Sequence, residues 1–462
     1  MREVLYGGAY NPSGVHHHDV TRALRDEPFF DLVTVVVCGP RPDKPTTNDI
    51  DPVHRAVMAD LTFGSLGDKV RVDLSDLELN TFTRTHELDT RHSRDGREVW
   101  HAVGTDIIEH GHEGASVIHR VWERGPELWN KLNFVVCVRK GIPFDVKDLP
   151  PKHMLLHVDN SGSSEMIRGL AANHQPLAGL VVPAVAEYIE RNHLYRGNTG
   201  SRRSHLAISD PRLMLIVDER RPEAVALAKK LRPFCDEKNP NLIVTLGGDG
   251  TLLHAIREYW RHRLPYFPIH FGTYGYLLND VKNEIDDTFF TREFTTLRSP
   301  LLHIEAVGRD GSVTEHLAFN DAWMQVEMGG TGWLKIQVNG VTRFPRLMAD
   351  GALVATAAGS TAYARAMGAK PIPVGTDLFV LAGSNVFDPP HWRNGANIPT
   401  DSVIDFTNAD ESGYRKLYGF VDGHKLGEIV SMRIRKSRIA SPEIAYLRYD
   451  EIAEKVIAAQ FS

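Results

Sequence analysis

Apolar and polar positions along the chain change rhythm twice. Up to about residue 195, short apolar runs alternate with stretches of helical period. EVLYGG, LVTVVVC, VRVDL, WHAVG, FVVCV and HMLLHV read as strands, most of them apolar on both faces, and PVHRAVMADLTFG and ELWNKL read as helices between them. Strands buried on both faces and separated by helices predict a parallel sheet covered on each side. RGNTGSRRSH, at 196–205, is polar, basic and glycine-containing, and reads as a linker. A second strand–helix series follows in RLMLIVDE, PEAVALAKKL, LIVTL and TLLHAIREYW. From Leu301 the pattern turns to alternation punctuated by Gly, Asn and Asp, as in LLHIEAVG, WLKIQVNG, ALVATAA, LFVLAG and SVIDFTN. That rhythm predicts a mainly antiparallel β subdomain. The expected division is 1–195, a linker at 196–209, an α/β subdomain at 210–300, a β subdomain at 301–430, and a segment at 431–462 returning to the α/β layer.

Composition narrows the function class. A chain of 462 residues is too long for one ordinary core. The net charge of −6 gives no basic footprint, which argues against nucleic acid as a partner. Small phosphorylated ligands stay open, because they need only a local nest of donors. Cys38, Cys137 and Cys235 lie far apart, two of them in apolar runs, so no disulfide framework is expected and a reducing compartment is. No apolar run reaches membrane-spanning length and the N-terminus lacks a signal-type apolar segment, so the expectation is a cytoplasmic protein without a membrane partner.

Candidate chemistry begins at GGAYNPSGVHHHDVTRAL, residues 7–24. Neighbouring helical residues diverge by about 100°, so His16, His17 and His18 cannot converge on one ion, and no metal site is expected. A strand entering the Gly7–Gly8 turn lets a ligand approach the backbone. A helix starting near the histidines leaves N–H groups for phosphate, and an imidazole there would donate to a phosphate that gains charge. On this stretch alone, a solvated turn with surface histidines fits equally well. SGSSEMIRGL, at 161–170, adds Ser163, Ser164 and Arg168 at a helix start: a cap with a surface charge, or a polyphosphate clamp.

Together the two stretches resemble the signature of the nicotinamide/nicotinate mononucleotide adenylyltransferases, a GGxFxPxHxGH-type loop with a later SSTxIR-type helix start. The counterparts are Gly7, Gly8, Tyr10, Asn11, Pro12 and His17, then Ser163, Ser164, Ile167 and Arg168. PVHRAVM around His54 and Arg55, TFTRT at 81–85, VGTD at 103–106 and VVPAVAEYIERNHLY at 181–195 support the match. Gly14 stands at the first histidine position and Glu165 at the threonine. The resemblance covers 1–195 and implies a Rossmann-like nucleotidyltransferase domain. The implied reaction is attack by the mononucleotide 5′-phosphate on the α-phosphorus of ATP, releasing pyrophosphate. It implies His17 and Arg168 as catalytic groups on the phosphates, and Gly7, Gly8, Tyr10, Asn11, Ser163 and Ser164 as nucleotide-binding. Gly104 and Asp106 fall to the adenosine, and Trp100, Trp122 and Trp129 are candidates either to stack on the pyridine or to fill the core.

LIVTLGGDGTLLHAI, at 242–256, ends a buried strand at Gly247–Gly248 and sets Asp249 before Gly250, Thr251 and a helix. Asp249 could simply cap that helix. Three glycines exceed what a cap needs; they clear space for a bulky ligand, and the carboxylate suits a general base or a Mg²⁺ contact. The loop lacks the GK[ST] ending of a Walker A and is not GxGxxG. GGDGT is similar to the signature shared by NAD kinases and by diacylglycerol and sphingosine kinases. HFGTYGYL at 270–277, AFNDAWM at 318–324, ADGALVATAAGSTAYARAMGA at 349–369 and FVDG at 420–423 resemble successive NAD kinase segments. Departures are His270 for asparagine, Asp321 for glutamate, and Ala357–Ala358 for Pro-Thr. The resemblance spans about 210–430 and implies phosphoryl transfer to the 2′-hydroxyl of NAD's adenosine ribose, giving NADP. Asp249 would take the proton or align the hydroxyl, with Gly247, Gly248, Gly250 and Thr251 at the phosphates. Asn320 and Asp321 would bind the dinucleotide, and Asp350 with Thr361, Ala362 and Tyr363 would frame the rest of its site.

The two halves fit one pathway: the first makes NAD and the second phosphorylates it, with Mg²⁺ entering alongside ATP and a homo-oligomer implied by the kinase resemblance. Two alternatives follow from the departures. One is an NAD kinase with a decayed front half; the other is a pyridine-nucleotide sensor without turnover.

Overall fold

The computed structural model describes residues 1–159, 162–197, 202–272, 274–327 and 330–461. Chain contacts divide it into two units, Met1–Ser201 and Arg202–Ser462.

In the first unit six strands form one sheet: β1 (Arg2–Gly8), β2 (Leu32–Val37), β3 (Val70–Asp73), β4 (Glu98–Gly104), β5 (Asn133–Arg139) and β6 (His153–Val158). Their order is β3-β2-β1-β4-β5-β6, with every pairing parallel. The runs that read as apolar on both faces are buried on both: Val33, Val35, Phe134, Val135 and Val136 are fully enclosed. Winding reverses between β1 and β4, so the carboxyl ends of these neighbours, Gly7–Gly8 and Gly104, open a crevice at the switch point, where ligands bind in open parallel sheets. The helix Val15–Asp26 follows β1, and Pro52–Phe63 follows β2, capped by Asp51 accepting from the Val53 amide at 3.1 Å with Pro52 in its first turn. From that second helix Arg55, 1% exposed, donates to the carbonyls of Ala9, Thr47 and Cys38 at 2.6–2.9 Å. A buried guanidinium is tolerable because carbonyls take its N–H groups, and it ties the loops after β1 and β2 together.

The second unit holds two sheets. The first has the order β7-β11-β23-β10-β9-β8, built from β7 (Arg203–Ala207), β8 (Leu213–Val217), β9 (Leu242–Gly247), β10 (Tyr266–His270), β11 (Glu293–Arg298) and β23 (Glu443–Tyr446). Strands β8, β9, β10 and β23 run parallel, while β11 is antiparallel to β23 and to β7. The stretch 196–209, expected as a linker, is not all linker, because Arg203–Ala207 is an edge strand. The sheet is mixed, because β11 runs against its neighbours. The chain after 431 does return: β23 inserts between β10 and β11, and the helix Tyr449–Ala458 follows.

The second sheet is antiparallel in every pairing. It comprises β12 (Leu302–Gly308), β13 (Val313–Ala318), β14 (Asp321–Gln325), β15 (Gly332–Val338), β16 (Val341–Ala349), β17 (Gly351–Ala355), β18 (Leu378–Ser384), β19 (Ala396–Pro399), β20 (Ile404–Asn408), β21 (Tyr418–Val421) and β22 (His424–Lys436). Its last long strand runs past the expected boundary at 430. Among the described residues no helix is long and apolar enough to cross a membrane.

Candidate functional site

Two depressions flank Gly7–Gly8 at the carboxyl end of β1. One is lined by His17, Lys44, Thr46, Ser164 and Arg168 together with Tyr10 and Asn11. The other is more apolar, lined by Phe82, Ile107, Val117 and Trp122 with Gly104 at its floor. Gly7 and Gly8 belong to both. A Cβ at Gly8 would lie 2.9 Å from the Tyr10 ring, so packing requires that glycine; a Cβ at Gly7 would meet nothing within 4 Å. The bare backbone at Gly7 therefore faces open space.

Tyr10 and Asn11 brace the loop. Tyr10 donates to the Tyr6 carbonyl at 2.7 Å and packs edge-on to the His17 ring, centroids 4.9 Å apart. Asn11 uses its whole amide, donating to the Thr46 carbonyl and to Asp49 and accepting from Tyr195 at 2.7 Å. The later helix, Ser164–Ala172, is fastened to the same loop: Ser164 donates to the Pro12 carbonyl at 2.8 Å and Arg168 to the Asn11 carbonyl at 2.6 Å. Ser163 is that helix's cap, accepting from the Met166 amide at 3.2 Å. Glu165 is exposed and does not line the crevice.

His17 accepts from the Gly14 amide on Nδ1 at 3.1 Å, and burial, reinforced by His16, Arg139 and Lys44, holds its pKa well below the ordinary range. A neutral ring whose Nδ1 accepts carries its hydrogen on Nε2 and remains a donor. A side chain at position 14 would meet the His16 ring at 2.6 Å and Ile167 at 2.8 Å, so His16 fills the space that Gly14 leaves. Of the three tryptophans only Trp122 lines the second depression. Trp129 is buried against His119 and Phe134, and Trp100 packs on Phe29 and Phe30. Asp106 is exposed in the turn after β4. Lys44 and Thr46 were not picked out from the sequence, because nothing local in PRPDKPTTN marks them.

In the second unit Asp249 opens the helix Asp249–Tyr259 at the end of β9. Its carboxylate accepts from the amides of Tyr276 and Leu277 at 3.3 and 3.2 Å. Burial raises its pKa, while those two amides and the charge of His270 pull it back down. Gly247 is required by packing, since its Cβ would lie 2.2 Å from the Thr251 hydroxyl. Gly248 meets nothing nearer than 4.0 Å and Gly250 nothing within 4 Å, so open space lies on both sides of Asp249. Gly272 abuts Gly248, its Cβ position 3.3 Å from the Gly248 Cα.

Asn320 and Asp321 lie on a second loop, just before and at the start of β14. Asp422, within FVDG, accepts from three successive amides, Phe319, Asn320 and Asp321, at 2.9, 2.8 and 3.1 Å, a role its local sequence does not mark. Burial first, then the Asp422 charge, raises the Asp321 pKa to about 7. The Asn320 Oδ1 is buried without a hydrogen-bond partner among the described residues. Gly359 packs directly on this loop, its Cβ position 2.1 Å from the Asn320 carbonyl, and Thr356 donates to the Phe319 carbonyl at 2.6 Å. Phe319 and Ala358 share a core cluster with Leu252 and Ile256, which joins the loop to the Asp249 helix. Ala357 and Ala358 are buried among apolar side chains. Thr361 donates to the Ala358 carbonyl, Ala362 is exposed, and Tyr363 packs edge-on to Trp323. Asp350 stands apart: Asp321 pairs with Ala355, and Asp350 precedes the other end of β17, roughly 15 Å away along the strand. It accepts from Asn385 at 2.6 Å instead.

No family model matches the chain. The NAD kinase of Rickettsia bellii is 31% identical over 235 residues, covering 50% of this chain and 90% of its own length. That of Cereibacter sphaeroides is 30% identical over 227 residues, covering 49% and 88%. The first unit, at 201 residues, is too short to hold a match of 235. Among solved structures, yeast NADH kinase complexed with NADH is 16% identical with a TM-score of 0.48, over 56% of this chain and 89% of that one.

Proposed function

The chain belongs to the NAD kinase family, and from that premise we propose that its second unit phosphorylates the 2′-hydroxyl of NAD's adenosine ribose while its first unit makes the NAD. The kinase reading is carried by one observation: a half-buried carboxylate, Asp249, held by two amides between glycines that the fold leaves open. A carboxylate so fixed takes the hydroxyl proton, or holds the hydroxyl in line with the γ-phosphorus. Asn320 and Asp321 supply hydrogen bonds to the dinucleotide from the second loop, and Asn320 has an unused acceptor there. Mg²⁺ entering with ATP would supply neutralisation of the triphosphate charge, and Asp249 offers the hard oxygen such an ion prefers.

For the first unit the support is the convergence of His17, Lys44, Ser164 and Arg168 around the open backbone at Gly7, next to an apolar hollow containing Trp122. A nucleotide needs such a pair of compartments, one for phosphates and one for a ring. The Nε2 hydrogen of His17 and the guanidinium of Arg168 stabilise charge on the phosphates during adenylyl transfer, and no protein nucleophile is required.

The test is an incubation with ATP, Mg²⁺ and either nicotinamide or nicotinate mononucleotide, without added NAD, followed by a parallel run with NAD. Appearance of NADP, or of its acid analogue, from mononucleotide supports both activities. Product from NAD alone removes the first unit's role and leaves a kinase. Failure with every substrate, by a folded protein, overturns the enzyme reading in favour of a sensor.

A further inference from the structure

His270 ends β10 and begins a row of charges beneath the Asp249 loop. Its Nδ1 donates to Asp280 at 2.8 Å, and the other Asp280 oxygen pairs with Lys455 at 2.5 Å from the helix Tyr449–Ala458. Burial raises the Asp280 pKa, but the bonds from Lys455 and His270 more than offset this and hold it below the usual carboxylate range. An ionised carboxylate only accepts, so Nδ1 carries a hydrogen and the ring orientation is fixed. The imidazole lies flat under Gly275, where a Cβ would come within 2.6 Å of Cδ2 and 2.9 Å of Nε2. That Nε2 is buried, with no hydrogen-bond partner among the described residues. The next two residues along the chain, Tyr276 and Leu277, supply the amides that hold Asp249.

We propose that His270 is a positioning residue of the kinase site: anchored by Asp280 and Lys455, it seats the Gly275–Leu277 backbone that holds Asp249. The proposal rests on the kinase reading above. His270, Gly272 and Asp280 line one hollow. Other charged groups face the same hollow: Arg221 and Glu223 from the start of the helix Pro222–Leu231, and Lys282 and Glu284 from the turn after β10. Three of these are already paired, Lys282 with Glu223 at 3.0 Å and Glu284 with Arg448 at 2.5 Å.

The experiment measures NADP formation from NAD and Mg-ATP by the full chain across about pH 5 to about pH 9, for wild type, His270→Asn and His270→Ala. Asparagine keeps a donor to Asp280, so His270→Asn should hold kcat within about twofold of wild type. For His270→Ala, which loses the seat, kcat should fall about tenfold while the KM for NAD stays within about twofold. A folded His270→Ala variant with kcat intact overturns the proposal, as does a His270→Asn variant that loses as much kcat as His270→Ala. A wild-type chain that makes no NADP at any pH overturns the kinase reading instead, which keeps the two failures apart.

Discussion

At Asp249 two opposed effects meet: burial favours the neutral acid, while two amides favour the ion. A carboxylate balanced in this way serves as a base near working pH. Asp249→Asn should therefore lower NADP formation at least about a hundredfold, yet leave pyrophosphate release from ATP and mononucleotide unchanged. His17→Ala should do the reverse, and parallel assays of the two products on each variant check both. Asp321 carries a stability signature as well. Its folded pKa, about 7, lies above the ordinary value, so the folded state binds more protons between about pH 4 and about pH 7. Stability declines as pH rises through that window, because the native carboxyl is the costlier one to ionise. Asp321→Asn removes that cost and should be more stable than wild type by roughly 2 to 4 kcal/mol above the window, with little difference below it. Melting curves at about pH 4, 6 and 8 decide this.

Elements differ in how far their sequence announced them. The inner strands were legible because a run such as LVTVVV, apolar on both faces, has few other uses. β7 was not: RSHLA sits at a sheet edge, pairs on one side only and leaves polar side chains in solvent, which in sequence looks like a linker. Within the sites, His17, Ser164, Arg168 and Asp249 were legible because each lies in a short local pattern. Asp422 and Lys455 escaped because their partners stand about a hundred residues or more away in the chain. Asp350 lies in the same motif as Gly359 but at the other end of β17, so the two ends of that motif are not neighbours. The contact between Gly359 and the Asn320 carbonyl is backbone against backbone and no rotamer relieves it. Gly359→Ala should destabilise the second unit by about 2 kcal/mol or more and abolish NADP formation while pyrophosphate release persists. Gly250→Ala, with nothing within 4 Å, should melt like wild type.

At the scale of the whole molecule, each unit carries its own sheet and its own hydrophobic clusters. The break at 201/202 falls within the stretch that read as a linker. Expressed separately, 1–201 and 202–462 should each fold, the first releasing pyrophosphate from ATP and mononucleotide and the second converting NAD to NADP. Mixing the two should restore NADP formation from mononucleotide, and circular dichroism with product assays on each half tests this. A folded second half without kinase activity would mean that its chemistry borrows something from the first.

Gly7 and Gly248 have a practical consequence. Neither adopts a backbone reserved for glycine, and neither is crowded by protein. One added methyl at either position is thus a plug that the scaffold absorbs and the substrate cannot. Alanine at each would give a matched pair of sound proteins, each blocked in a single crevice, with which flux through the two steps can be apportioned inside a living cell.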